Sequence, residues 1–127
     1  MKRRLLILAL VGLAGWYLWQ KTGEQSDIQV HELQAWLEAG KRLVLIDVRE
    51  PEEFAKTSIP GSISIPLNQL DSAPELQLIA KNQTIVVICH SGSRSLAAQK
   101  LLREKGYKHV YNLAGGITQW ESVIQPD

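Results

Sequence analysis

The sequence predicts an α/β domain built on a central parallel sheet with helices on both faces. Two observations carry this. Residues 43–46 (Leu-Val-Leu-Ile) and 84–88 (Thr-Ile-Val-Val-Ile) are continuous apolar runs, as expected of strands covered on both faces. They alternate with stretches of helical periodicity, joined by connections of ordinary crossover length, which is the pattern of a parallel sheet. A third observation sets the front of the chain apart. Lys2, Arg3 and Arg4 precede an uncharged, mostly apolar run over residues 5–19.

That run predicts one amino-terminal transmembrane or signal helix ahead of the domain. It is slightly short of the ~20 residues of a spanning helix. Gln20 and snorkelling basic side chains extend it, and Trp16, Tyr17 and Trp19 suit the headgroup zone. The alternative is a cleaved signal peptide, for which Gly12 and Ala14 supply small residues. Three bases stand before the segment and only Lys21 follows closely. The amino terminus is therefore expected in the cytoplasm, with a single pass through the cytoplasmic membrane and a periplasmic or otherwise extracytoplasmic domain. Residues 1–20 form the basic flank and membrane segment, 21–27 a polar linker, and 28–127 the domain.

Within the domain, Leu33, Trp36 and Leu37 fall at helical spacing and Gly40 closes that helix. The first apolar strand follows and ends in Asp47. Pro51 opens a short helix through Phe54. Pro60-Gly61 marks a turn before a short strand over 62–65, which Pro66 ends. Leu76, Ile79 and Ala80 predict a further short helix, and the second apolar strand comes next. From Ser95 the pattern predicts a helix with Ala97, Ala98, Leu101 and Leu102 on one face, ended by Gly106. Residues 109–113 make a last strand, and Gly115-Gly116 leads into a terminal helix carrying Trp120 as a core residue.

Composition narrows the function. A formal net charge of +1 with scattered basic residues gives no reason to expect nucleic acid. One cysteine excludes an internal disulfide and a zinc site built on several thiolates, and His31, His90 and His109 lack ligand spacing. No metal and no cofactor is expected.

That one cysteine, Cys89, is the most informative residue. It stands where an apolar strand gives way to Cys89-His90-Ser91-Gly92-Ser93-Arg94-Ser95 and then to an amphipathic helix. The order puts a sulfur at the carboxyl end of a strand, facing a helix amino terminus. Free N–H groups and the helix dipole there favour the thiolate, the nucleophilic form. Gly92 lets the backbone approach the sulfur, and Arg94 is a permanent cation for an oxyanion. Ser91, Ser93 and Ser95 add hydroxyl donors. His90 is expected to act through its backbone, because neighbouring side chains near a strand end point to opposite sides. The other strand end, Asp47-Val48-Arg49-Glu50, either shapes the floor of the same site or holds a structural polar pair in which Arg49 bridges to Glu50 or Glu53.

With these residues in place the chain resembles the single-domain rhodaneses, thiosulfate-type sulfurtransferases. The matching segments are Asp47-Val48-Arg49-Glu50-Pro51-Glu52-Glu53-Phe54, Ile59-Pro60-Gly61-Ser62-Ile63-Ser64-Ile65-Pro66, the Cys89 loop, and Leu113-Ala114-Gly115-Gly116 with Trp120. The resemblance implies a rhodanese-like fold in which Cys89 accepts a sulfane sulfur as a persulfide and passes it to a thiol or cyanide-like acceptor. It also implies that His90, Ser91, Gly92, Ser93, Arg94 and Ser95 surround the donor, with Asp47 and Arg49 beneath. The partners are then a small-molecule sulfur donor, a small or protein acceptor, and the membrane. Two positions depart from the family pattern: Ser58 stands where many members have histidine before the Ile-Pro-Gly turn, and Ser64 where asparagine is frequent.

Two other functions compete. The related cysteine–arginine phosphatases and arsenate reductases have a loop one residue longer between the two residues, which suits a tetrahedral oxyanion; the shorter loop here suits a terminal sulfur. A non-catalytic binding module on the same fold is the other, and the presence of Cys89 argues against it.

Overall fold

The computed structural model describes residues 13–14, 27–91 and 93–124. Among these residues are five strands: β1 (Asp27–Ile28), β2 (Leu43–Asp47), β3 (Ile63–Ser64), β4 (Thr84–Ile88) and β5 (His109–Leu113). The α-helices among the described domain residues are α1 (Val30–Glu38), α2 (Pro51–Lys56), α3 (Leu67–Leu70), α4 (Ser93–Glu104) and α5 (Gly116–Ile124), with a 3₁₀ turn over Pro74–Leu78. The sheet runs β1-β5-β4-β2-β3 and every pairing is parallel. The strand that delivers Cys89 is therefore the middle one.

Its central position explains its composition. Ile85, Val87 and Cys89 face one side of the sheet and pack with Leu76, Ala98, Leu102 and Tyr107. Val86 and Ile88 face the other side and pack with Leu33, Ile117 and Trp120. Ile85, Val86, Val87 and Ile88 are all fully buried. Each contributes about 1.5–3 kcal/mol of apolar burial, so the strand leading to Cys89 is held from both faces.

The structure departs from the sequence pattern in several places. Ala97 is exposed, and the inward face of α4 is made by Ser95, Ala98, Gln99 and Leu102. Two polar residues turn inward because they find partners there: Gln99 Nε2 donates to the Val110 carbonyl at 2.9 Å, and Ser95 meets Cys89 and Asn112. The helix expected around Leu76, Ile79 and Ala80 is the 3₁₀ turn; Leu76 and Ile79 are buried while Ala80 is exposed. The short helix α3, which follows Pro66, was not expected. Asp27, placed in the linker on composition, belongs to β1 and pairs in register with Asn112.

The expected membrane segment over 5–19 lies outside the described residues, apart from Leu13 and Ala14, which are helical. Among the described residues no helix is long and apolar enough to cross a membrane.

Candidate active site

β4 ends at Ile88, Cys89 is almost fully buried, and the chain turns through His90 and Ser91 before α4 begins at Ser93. Gly92 lies outside the described residues. The turn is fixed from behind by the start of α5. The Cys89 carbonyl accepts the Ile117 N–H at 2.8 Å, and the His90 carbonyl accepts the Thr118 N–H at 3.1 Å and the Thr118 Oγ1 hydroxyl at 2.8 Å. Gly116 makes this approach feasible: its φ is +58°, and a Cβ there would overlap the carbonyl oxygens of Cys89 and His90. His90 thus contributes through its backbone and is itself exposed, as is Ser91.

On the inner side, Cys89 Sγ lies 3.3 Å from Ser95 Oγ, and Ser95 is fully buried. The Ser95 hydroxyl donates to Asn112 Oδ1, and Asn112 Nδ2 donates to Asp27 Oδ1 at 3.0 Å. This chain crosses from the loop through α4 and β5 to β1.

Arg94 is forked onto Glu53, with Nη1–Oε1 at 2.9 Å and Nη2–Oε2 at 3.1 Å. The pair ties the first turn of α4 to α2, where Glu53 also accepts the Glu50 N–H at 3.2 Å. The Arg94 hydrogen bonds hold the Glu53 carboxyl down at about 2, against a smaller opposing effect of burial, with help from the Glu50 N–H and the charges of Arg94 and Arg49. Arg94 is raised in turn, chiefly by Glu53, with a smaller contribution from the charge on Cys89.

Asp47 and Arg49 form a closed unit. Arg49 Nε lies 3.0 Å from Asp47 Oδ1 and Nη2 lies 2.8 Å from Oδ2, while Nη2 also donates to the Thr57 carbonyl at 2.6 Å. Both residues are buried. The bridge from Arg49 to Glu50 or Glu53 does not form, because Arg49 turns back onto Asp47 and Glu53 is taken by Arg94. Asn112, Asp27 and Thr118 are site neighbours that sequence reasoning missed, and Glu53, expected beside Arg49, pairs with Arg94 instead. Among the described residues no cluster of His, Cys, Asp and Glu could hold a metal ion.

Comparison with known proteins decides the family. The model of the rhodanese-like domain matches residues 29–123. The chain belongs to the rhodanese-like domain family. Among its relatives, the "Sulfurtransferase" of Allochromatium vinosum is 33% identical over 95 residues, covering 75% of this chain and 87% of that protein. The human single-domain sulfurtransferase TSTD1 superimposes with a TM-score of 0.69 at 32% identity, covering 76% of this chain and 96% of that one. "Probable adenylyltransferase/sulfurtransferase MoeZ" of Mycobacterium tuberculosis is 36% identical over 102 residues; the match covers 80% of this chain and 26% of that protein. The rhodanese-like unit therefore occurs both as a stand-alone sulfurtransferase and as a part of longer proteins.

Proposed function

We propose that this rhodanese-like protein is a sulfurtransferase that takes a sulfane sulfur from thiosulfate or a related donor onto Cys89 and hands it to a thiophilic acceptor. The observation that carries this is the position of the chain's one cysteine, at the carboxyl end of the central strand, ahead of a helix start, with its backbone clamped by α5. The Cys89 thiolate attacks the outer sulfur of thiosulfate. The donor's S–S bond breaks, its electron pair leaves with sulfite, and Cys89 is left as a persulfide anion. Cyanide or an acceptor thiolate then attacks the outer sulfur, departs as thiocyanate or a persulfide, and the electron pair returns to Sγ.

The residues fit those steps. N–H groups at the start of α4 favour an anionic terminal sulfur. Arg94, held at the rim by Glu53, has further N–H groups to offer a sulfite-like leaving group. The intact mass of the purified protein after thiosulfate tests the scheme. A gain of one sulfur atom, removed by cyanide and absent in Cys89→Ser, is the expected result; no gain in the wild type overturns it.

The apolar run over 5–19 behind Lys2, Arg3 and Arg4 supports attachment to the cytoplasmic membrane with the domain outside the cytoplasm. Protease added to intact spheroplasts should cut the domain while the protein partitions with membranes. Cutting only after lysis would reverse the topology, and a soluble processed form would replace the anchor with a cleaved signal.

A further inference from the structure

We infer that Glu53 is a specificity-determining residue: by answering the charge of Arg94 beside the cysteine turn, it turns the site from dianionic sulfur donors toward donors that carry one charge or none. The inference rests on the sulfurtransferase reading and narrows its donor. Both terminal nitrogens of Arg94 are engaged, Nη1 with Glu53 Oε1 at 2.9 Å and Nη2 with Oε2 at 3.1 Å. The pair is anchored at both ends. Arg94 stands in the first turn of α4 and Glu53 in the first turn of α2, where its Oε1 also accepts the Glu50 N–H. Arg94 and Glu53 are 34% and 30% exposed, so an incoming donor meets the pair rather than a lone cation. The neighbouring cation, Arg49, is closed onto Asp47. At the carboxyl ends of β2 and β4 and the helix starts after them, Arg94 and Arg49 thus stand against three carboxylates, Glu53, Glu50 and Asp47.

Such a site can bind an oxyanion by hydrogen bonds, but it offers little net charge to hold one. Thiosulfate carries two negative charges. An organic thiosulfonate carries one and reacts by the same step: its outer sulfur passes to Cys89, the S–S bond breaks, and the electron pair leaves with a sulfinate. Each charge on the donor is repelled by the Glu53 carboxylate, so the dianion loses about twice as much free energy. The pair is screened by solvent, and the loss for thiosulfate from this one carboxylate is about threefold in kcat/KM. A Glu53 that merely braces Arg94 predicts the opposite sign. Without its anchor Arg94 would leave the rim, and thiosulfate would suffer.

The test compares kcat/KM for thiosulfate and for methanethiosulfonate, with cyanide as acceptor, in the wild type, Glu53→Gln and Glu53→Asp. In a two-step transfer this constant reports the donor step alone, so the acceptor cancels. Glu53→Gln keeps the shape of the side chain and one acceptor for Arg94 while removing the charge. It should raise kcat/KM about threefold with thiosulfate and less than about twofold with methanethiosulfonate at low salt. The gain should vanish in about 1 M salt, where the Debye length is about 3 Å. Glu53→Asp, which restores the charge, should return the wild-type ratio between the donors. The wild type gives a second measure: added salt should favour thiosulfate over methanethiosulfonate, and the reverse overturns the inference. So does a fall with both donors in Glu53→Gln, or an equal change with both. A wild type that gains no sulfur from either donor, read by intact mass, overturns the sulfurtransferase reading with it, which separates the two failures.

Discussion

The carboxyl ends of β2 and β4 begin alike and finish differently. Both are apolar strands that run into a polar turn and then a helix, side by side in the same sheet. At β2 the polar residues close on one another: Arg49 donates to both carboxylate oxygens of Asp47, its Nη2 also donates to the Thr57 carbonyl, and the unit is buried. At β4 the backbone of the turn is tied down from outside by α5, and the Cys89 sulfur lies 3.3 Å from the Ser95 hydroxyl. Self-satisfied charge makes a brace. Borrowed backbone support around a sulfur frames the candidate site.

Four substitutions sharpen or break that contrast. Cys89→Ala should reduce thiosulfate-to-cyanide transfer to background while costing only about 1 kcal/mol in urea unfolding, since little volume is lost. Arg49→Ala should do the opposite at the level of stability, costing about 3–5 kcal/mol because it leaves the Asp47 carboxylate buried without its cation. Full stability with lost transfer in Arg49→Ala would move the β2 end into the site and end the contrast.

Gly116→Ala addresses the clamp itself. A Cβ would meet the Cys89 and His90 carbonyls at a φ of +58°, so about 1–3 kcal/mol should be lost. Turnover at saturating donor should fall as well, because the loop backbone must shift. Unchanged turnover would mean that the clamp does not set the loop.

Glu53→Gln should have the smallest effect, below about 1 kcal/mol, because the pair with Arg94 is about one-third exposed and screened. Its acid dependence has a definite sign. Glu53 is depressed from 4.5 to about 2 in the folded protein, so its contribution is present above the unfolded value and lost as pH falls through the folded one. The stability difference between wild type and Glu53→Gln should therefore close between pH 4.5 and 2 in acid unfolding. A difference that persists at the acid end would show that the pair acts by shape rather than charge.

β2, β4 and the cysteine turn were legible because burial on both faces and a helix start leave local marks: unbroken apolar runs, then Cys89, Gly92 and Arg94 in a few residues; the edge strand β1 left none. The contacts that qualify the site were not. Glu53 meets Arg94 across 41 positions and Asp27 meets Asn112 across 85. Neighbouring parallel strands must be joined by crossovers, so partners at their ends are distant in sequence. Ser95 was placed among the loop hydroxyls, yet its burial follows from a partner on β5. The inward face of α4 was misjudged at Ala97 for the same reason. Small apolar residues were counted as the buried face, whereas hydrogen-bonded polar ones won it.

The tie between the cysteine turn and the first residues of α5 also says when the site comes into being. Cys89 and His90 leave the ribosome well before Gly116, Ile117 and Thr118 follow them, and until then their carbonyls have only water to bind. Asp27, made first, likewise waits for Asn112 before the edge strand can pair. The nascent chain thus carries its thiol for some time without the carbonyl anchors of the finished turn, and α5, synthesised after it, supplies them.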